Sequence, residues 1–374
     1  MADGFEVTPY RVEGRVDYAA YAKKFGISII DKRIEDRISK HTGELHYLFR
    51  RKIFFGYRDL DFVLDEYEKG NPFYLYTGIA PSGSMTLGHL LSFMMTQHLQ
   101  EKFGAEVLIQ IPDEEKFLIK EGLTLERVHE LAYDDAANVL ALGFDRKKTK
   151  VFFDTEYAKT MYRQAVRVAK RITFSMVKDA FGFTNENNVG SIFYTSMQAV
   201  PAFLKSVQLG RNVPCLIPLG LDQDVHFRVA RDAIAKLGYY KPAILHSIFL
   251  PSLSGKQKMS SSASDINDTI YLSDTPEVVE KKVHRAITGQ QDTAELQKKL
   301  GGNPDKCAVC QYYKYLFEPD DKKLQAIFDG ERKGTLLAGE HKDDLAKRIN
   351  KFLEAQRKRK EQAMAKLDDY LLRD

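Results

Sequence analysis

FYLYTGIAPSGSMTLGHLL, residues Phe73 to Leu91, decides the fold. Phe73 to Tyr76 reads as an apolar strand. It breaks at Thr77-Gly78 and passes through a turn at Pro81-Ser82-Gly83. A helix restarts near Leu87-Gly88-His89. A strand, a glycine-bearing turn and a helix N-terminus make a site for phosphate. The free N–H groups of the first helical turn point outward, and the helix dipole adds partial positive charge. Gly88 lets a nucleotide approach the backbone, and His89 can donate a hydrogen bond to a phosphate oxygen. The same stretch also suits a plain βα turn, with Ser84 or Thr86 capping the helix.

Outward from this stretch, strands and helices alternate. Leu87 to Lys102 has helical spacing at Leu87, Leu90, Leu91, Met94 and Leu99. Ala105 to Ile111 is a short apolar run and reads as a buried strand. Leu125 to Leu142 is a helix, capped by Thr124 and closed by Gly143. Val151–Phe153, Val213–Ile217 and Ala243–Phe249 are further strands. This pattern predicts an α/β, doubly wound parallel sheet of Rossmann-like type, with ligands at the carboxyl ends of the strands. The expected catalytic domain is residues 71–274. Residues 1–70 are charged and mixed, with a helix at Tyr57–Glu68, and read as an extension packed on that domain. From 275 to 374 only helices are expected: Pro276–Ala286, Glu295–Leu300, Tyr312–Phe317, Lys322–Phe328 and Lys342–Leu372. This is an all-helical C-terminal domain whose last helix can return to the catalytic domain. The run Arg357-Lys358-Arg359-Lys360 suits a solvated helix face or an RNA phosphate contact.

Composition sets outer limits. The chain has 374 residues, 44% hydrophobic and 29% charged, which is ordinary for a globular protein of two or three domains. A net charge of +4 and a pI near 8.6 permit nucleic-acid binding without requiring it. Three cysteines, Cys215, Cys307 and Cys310, make no disulfide framework. There is no basic segment followed by an apolar run at the N-terminus and no long uncharged apolar stretch. A cytoplasmic protein without a membrane span is expected. Cys307 and Cys310 have zinc-knuckle spacing, but a structural zinc needs four ligands. His284 and His341 are distant in sequence, so no metal site is expected.

The second anchor is Lys258-Met259-Ser260-Ser261-Ser262, in a polar loop after the last strand. A lysine and hydroxyls on a closing loop suit charge that develops on a leaving pyrophosphate. Alone, the string also reads as a Ser-rich surface loop. Together, Gly-His at the first βα turn and Lys-Met-Ser after the last strand resemble the HIGH and KMSKS signatures of class I aminoacyl-tRNA synthetases. The segments YTGIAPSGSM, VLIQIPDEEKFL, MQAVPAF, CLIPLGLDQDVHFRVARD and KPAILHSIFLPSL narrow the resemblance to the tryptophanyl-tRNA synthetases of eukaryotes and archaea, over nearly the whole chain.

That resemblance implies an enzyme that uses ATP, Mg2+ and L-tryptophan to charge tRNA(Trp). It also implies a homodimer and an anticodon-binding role for the helical domain. His89, Lys258, Thr86 and Lys116 are then catalytic. Gly78, Ser82, Gly88, His89, Lys258, Met259, Ser260 and Ser261 contact ATP. Tyr76, Gln110, Glu115, Gln198 and Gln223 bind tryptophan. Glu115 would pair with the ammonium, aided by Gln110 and Gln198, and Tyr76 and Gln223 would accept the indole N–H. No protein metal ligand is implied. The chain departs from the family at Thr86, where a histidine is usual, and at Ile79, where eukaryotic relatives carry a basic residue. Tyrosyl-tRNA synthetase is the nearest rival reading. A nucleotidyl transferase sharing only the first signature, and a weakened synthetase that binds tRNA without activating an amino acid, are the others.

Overall fold

The computed structural model describes residues 5–7, 12–14, 16–259 and 265–374. Strands β1 (Phe5–Val7) and β2 (Val12–Gly14) form an antiparallel hairpin. The others are β3 (Ser28–Ile29), β4 (Phe54–Arg58), β5 (Tyr74–Gly78), β6 (Glu106–Ile111), β7 (Thr149–Phe153), β8 (Cys215–Gly220) and β9 (Ala243–Ser247). They build one seven-stranded sheet in the order β3-β4-β9-β8-β5-β6-β7. The five strands from β9 to β7 run parallel, and β4 and β3 are added antiparallel at one edge.

The parallel strands read as unbroken apolar runs because both faces of the sheet are covered. Along β5 the side chains alternate: Leu75 packs into the core on one face, Tyr74 and Tyr76 into the core on the other. Ile109 and Leu108 divide in the same way on β6.

The chain runs β5 to β6 to β7 on one side, then returns to place β8 on the other side of β5. The crevice at the carboxyl ends of β5 and β8 is therefore the point where strand order reverses, which is where ligands bind in such sheets.

Two regions differ from the sequence expectation. Residues before 70 supply two strands of the main sheet, and β4 occupies Phe54–Arg58 just ahead of the helix Leu60–Glu68. A helix was expected to begin at Tyr57, but Tyr57 pairs with Leu245 of β9. In the helical region, the helices are Pro276–His284, Ala294–Leu300, Ala308–Tyr312, Asp321–Lys333 and Ala338–Met364, with a π-helix at Tyr313–Phe317.

The helix Ala338–Met364 runs back onto the helix Leu125–Leu140. Gln356 donates to the Asn138 carbonyl at 2.8 Å and Arg359 to the Ala141 carbonyl at 2.7 Å. Leu371 then bridges to Val151 beside β7. The basic run makes intramolecular contacts: Arg357 donates to the Asp274 carbonyl and Lys360 pairs with Asp134, while Lys358 pairs with Glu354 at the exposed surface.

Candidate active site at the carboxyl ends of the strands

The first loop, after β5, is shaped by close approach. A Cβ on Gly78 would lie 2.5 Å from the Gln110 carbonyl oxygen, so no side chain fits at this strand end. Ser82 lies partly buried in the turn that follows. Thr86 then sits in extended conformation, nearly fully buried, as the cap of the 3-10 turn Leu87–His89. Its backbone N–H donates to Nδ1 of His89 at 3.1 Å, and its hydroxyl lies 3.4 Å from the same nitrogen.

Because Nδ1 accepts an amide hydrogen, the ring proton resides on Nε2, leaving an N–H donor on the far side of the ring. Burial and the positive charge of Lys258 lower the His89 pKa to about 4, so the ring is neutral at physiological pH.

The two signatures touch. A Cβ on Gly88 would meet Met259 at 3.6 Å, ordinary contact distance, so the first turn packs on the last loop. Lys258 is held by Asp222, just past β8, with Nζ 2.8 Å from Oδ2, and lies over the Phe249 ring. Burial alone would raise the Asp222 pKa, but the Lys258 charge outweighs it and holds the carboxyl below its ordinary value. Ser260, Ser261 and Ser262 lie outside the described residues.

A chain of buried polar side chains fills the other half of the crevice. Gln110, at the end of β6, donates its amide hydrogens to both oxygens of Asp154, at 3.0 and 2.7 Å. Its carbonyl oxygen therefore faces Tyr76, whose hydroxyl donates to it. The Tyr76 oxygen accepts from Nε2 of Gln198 at 2.8 Å. Oε1 of Gln198 meets the Tyr194 hydroxyl, which donates to Glu115 at 2.9 Å. Glu115 pairs in turn with Lys116, Nζ to Oε1 at 2.6 Å. Burial would raise the Glu115 pKa, but Lys116 and His226 draw it below the ordinary value, so it stays ionised. Asp154 is the opposite case: burial and the nearby Asp113 raise it to about 7.

Four of the five expected tryptophan ligands thus join one chain, Glu115–Tyr194–Gln198–Tyr76–Gln110–Asp154. Gln223 does not join it. It donates to Asp222 at 3.1 Å, on the Lys258 side. Lys116 is placed by its bond to Glu115. Tyr194 and Asp154 were missed from sequence, although each left a signal. Tyr194 stands one helical turn before Gln198, and Asp154 directly follows a strand.

Below the crevice, Asp224 accepts from Arg58 of β4 at 3.0 and 3.1 Å and contacts Nε2 of His246 on β9 at 2.7 Å. Burial would raise its pKa, but hydrogen bonding to His246 and the Arg58 contact pull it far down, so it is ionised. This network ties the antiparallel edge to the helix Asp224–Lys236, directly behind Asp222.

A family model described as tRNA synthetases class I (W and Y) matches residues 68–354. The tryptophan–tRNA ligase of Sulfolobus acidocaldarius is 43% identical, over 100% of this chain and 98% of its own. The chain belongs to the tryptophan–tRNA ligase family. The relative from Pyrococcus furiosus is 46% identical over 96% of this chain and 92% of its own. A tryptophanyl-tRNA synthetase from Encephalitozoon cuniculi, solved bound to tryptophan, has a TM-score of 0.87 at 32% identity, covering 96% of this chain and 98% of that one.

In tryptophan–tRNA ligase terms, the first signature and the described part of the second, Lys258-Met259, lie at the same strand ends, and Thr86 occupies the first signature as a cap. Its backbone fixes the tautomer of His89, a task that needs no histidine at position 86.

Proposed function

We propose that this chain activates L-tryptophan with ATP, giving tryptophanyl-adenylate and pyrophosphate, and then transfers the tryptophanyl group to tRNA(Trp). One observation carries the reading: the buried chain from Glu115 to Asp154 lies in the same strand-end crevice as His89 and Lys258. One end of the chain, Glu115, is an ionised carboxylate suited to the substrate ammonium. Gln198 lies next to it through Tyr194. At the other end, Asp154 fixes the Gln110 amide so that its oxygen and the Tyr76 hydroxyl stand together, and this pair is the place for the indole N–H. On this reading Gln110 is assigned to the indole rather than to the ammonium, a role supported by its bond with the Tyr76 hydroxyl.

Activation is an in-line attack. A carboxylate oxygen of tryptophan forms a bond to the α-phosphorus as the bond to pyrophosphate breaks, and the leaving group takes the electron pair. Positioning and charge neutralisation suffice, and no enzyme nucleophile is required. His89 Nε2–H donates to a phosphate oxygen. Lys258 leaves Asp222 and moves onto the pyrophosphate, exchanging one anionic partner for another. Mg2+ arrives with ATP, whose phosphate oxygens are the hard ligands it prefers. In the second step the terminal ribose hydroxyl of the tRNA attacks the carbonyl carbon and AMP departs.

The helical region from 275 onward is proposed to reach the anticodon. A homodimer and a cytoplasmic location complete the reading, on family resemblance alone. None of the described helices is long and apolar enough to cross a membrane.

ATP–pyrophosphate exchange with tryptophan, tyrosine and phenylalanine is the direct test. Exchange with tryptophan alone is expected. Exchange with tyrosine would sink the indole assignment of Tyr76 and Gln110, and exchange with none would sink activation itself.

A further inference from the structure

Far along the chain from this chemistry, four side chains that can bind a metal converge. Cys307 and Cys310 stand at the start of the helix Ala308–Tyr312, Glu331 is on the helix Asp321–Lys333, and His341 is on the helix Ala338–Met364. One ligand atom from each lies within 4.8 Å of the others, and all four residues are buried. His284 is not among them. It pairs with Asp343 at the surface.

The cluster is incomplete as it stands. His341 is 2% exposed, yet neither ring nitrogen makes a hydrogen bond; Nδ1 stands 3.6 Å from Glu331 Oε2, beyond hydrogen-bond distance. Its ring is stacked on Tyr313 at 5.1 Å, which fixes its direction. Glu331 is fully buried, and only one of its oxygens is satisfied, by Gln290 at 2.7 Å. The other, Oε1, has no partner. Buried polar groups left open in this way are destabilising, so a native structure that keeps several together needs a reason. The Cys310 amide points at Cys307 Sγ at 3.4 Å, the arrangement that supports a metal-bound thiolate in a Cys-x-x-Cys turn.

We propose that Cys307, Cys310, Glu331 and His341 bind one structural Zn2+ that pins the three helices of the C-terminal region to one another. Two thiolates, an imidazole and a carboxylate give the four-coordinate, closed set of a structural zinc site. Ligands about 2.0–2.3 Å from a common ion would stand closer together than the present limit, a contraction of about 1 Å. That spacing holds one ion rather than a multi-iron cluster. The thiols and imidazole exclude Mg2+, which takes oxygen ligands. The site also reaches the Lys258 loop. Ala308 N–H, next to Cys307, donates to the Ile287 carbonyl at 3.1 Å, and Ile287 N–H donates to the Leu253 carbonyl at 2.8 Å. Leu253 begins the segment that leads to Lys258.

The test is metal content of the full chain, purified under reducing conditions without chelator. About one zinc per chain is expected. Replacement by Co2+ should give the near-ultraviolet charge-transfer bands of thiolate coordination. His341→Gln and Glu331→Gln, which keep side-chain bulk, should lose most of the zinc, and the parent stripped by chelator should melt at lower temperature. Three results would overturn the site: a parent that takes up neither Zn2+ nor Co2+ stoichiometrically, variants that keep full zinc, or a Cys307–Cys310 disulfide in its place. Exchange activity with tryptophan does not enter this readout, so a failure here leaves the active-site reading intact.

Discussion

The half of the crevice proposed for the amino acid is hydrogen-bonded from end to end, whereas the half proposed for the nucleotide is held by few contacts. Tyr76, Gln110 and Glu115 are buried, and each side chain in their chain fixes the orientation of the next. His89 and Lys258 are partly exposed, and Lys258 rests on one carboxylate and one ring face. The difference fits what each half does on the proposed reading. Discrimination among amino acids needs acceptors that stay in place, so that a side chain lacking the N–H leaves them unpaired. Pyrophosphate release needs a cation that can change partners, and a permanently buried lysine could not do that.

The nucleotide half is tested first, with the largest expected effect. Lys258→Ala should lower the ATP–pyrophosphate exchange rate by about 10² to 10³, equal to about 2.7–4 kcal/mol, and should also lower the melting temperature, because the buried Asp222 carboxylate loses its cation. A loss below about tenfold would show that Lys258 remains on Asp222 during the reaction, and the contrast between a fixed and a mobile half would fail.

The amino-acid half should respond differently. Tyr76→Phe removes the donor to Gln110 and the acceptor for Gln198 in one step. Gln110, buried, and Gln198, half-buried, each lose a partner, so KM for tryptophan should rise about 10- to 100-fold, from about 1.4–2.8 kcal/mol. Stability should fall as well, because the same bonds exist without substrate. If KM rises with no loss of melting temperature, the two glutamines re-pair and the chain is less rigid than drawn.

A pH measurement sharpens the contrast within the nucleotide half. His89 has a folded pKa of about 4 against an ordinary 6.5. Between those values the unfolded chain binds the extra proton and the folded chain does not, so stability falls as pH is lowered through this window. Asp154, raised to about 7, acts in the opposite sense and loses stability as pH rises toward 7. His89→Gln should therefore flatten part of the acid-side fall in melting temperature between pH 6.5 and 4. Nitrogen NMR should find His89 as the neutral Nε2–H tautomer throughout this range above its pKa. A signal titrating near 6.5 would sink both the tautomer and its donor role.

Much of this arrangement could be read from sequence, for physical reasons. β6, β8 and β9 are apolar runs because both sheet faces are covered; a strand end lining the crevice favoured Asp222-Gln223, whereas Gly78 and Gln110 were named through the family resemblance. β4 was not legible. Phe54 and Tyr57 are strand residues only because β9 lies beside them, and the following helix has apolar spacing that extends back over Tyr57. Tyr194 was hidden inside an apolar helix, where a tyrosine is ordinary core until its hydroxyl partner is known. Glu331 and His341 carry no local pattern at all, since only tertiary packing brings them to the cysteines.

The smallest expected effect concerns Thr86, the departure from the family's first signature. Its hydroxyl caps the turn and lies near Nδ1 of His89, but the hydrogen bond that sets the tautomer comes from its backbone N–H. Thr86→Ala deletes the hydroxyl and keeps the amide. It should lower stability by about 0.5–2 kcal/mol, the range for losing a cap, and leave the exchange rate within a few-fold of the parent. If Thr86 instead donated to a phosphate oxygen, the loss would be catalytic and would approach that of Lys258→Ala. Measuring melting temperature and exchange rate on the same preparation separates the two, because a cap lowers the first and a phosphate donor the second.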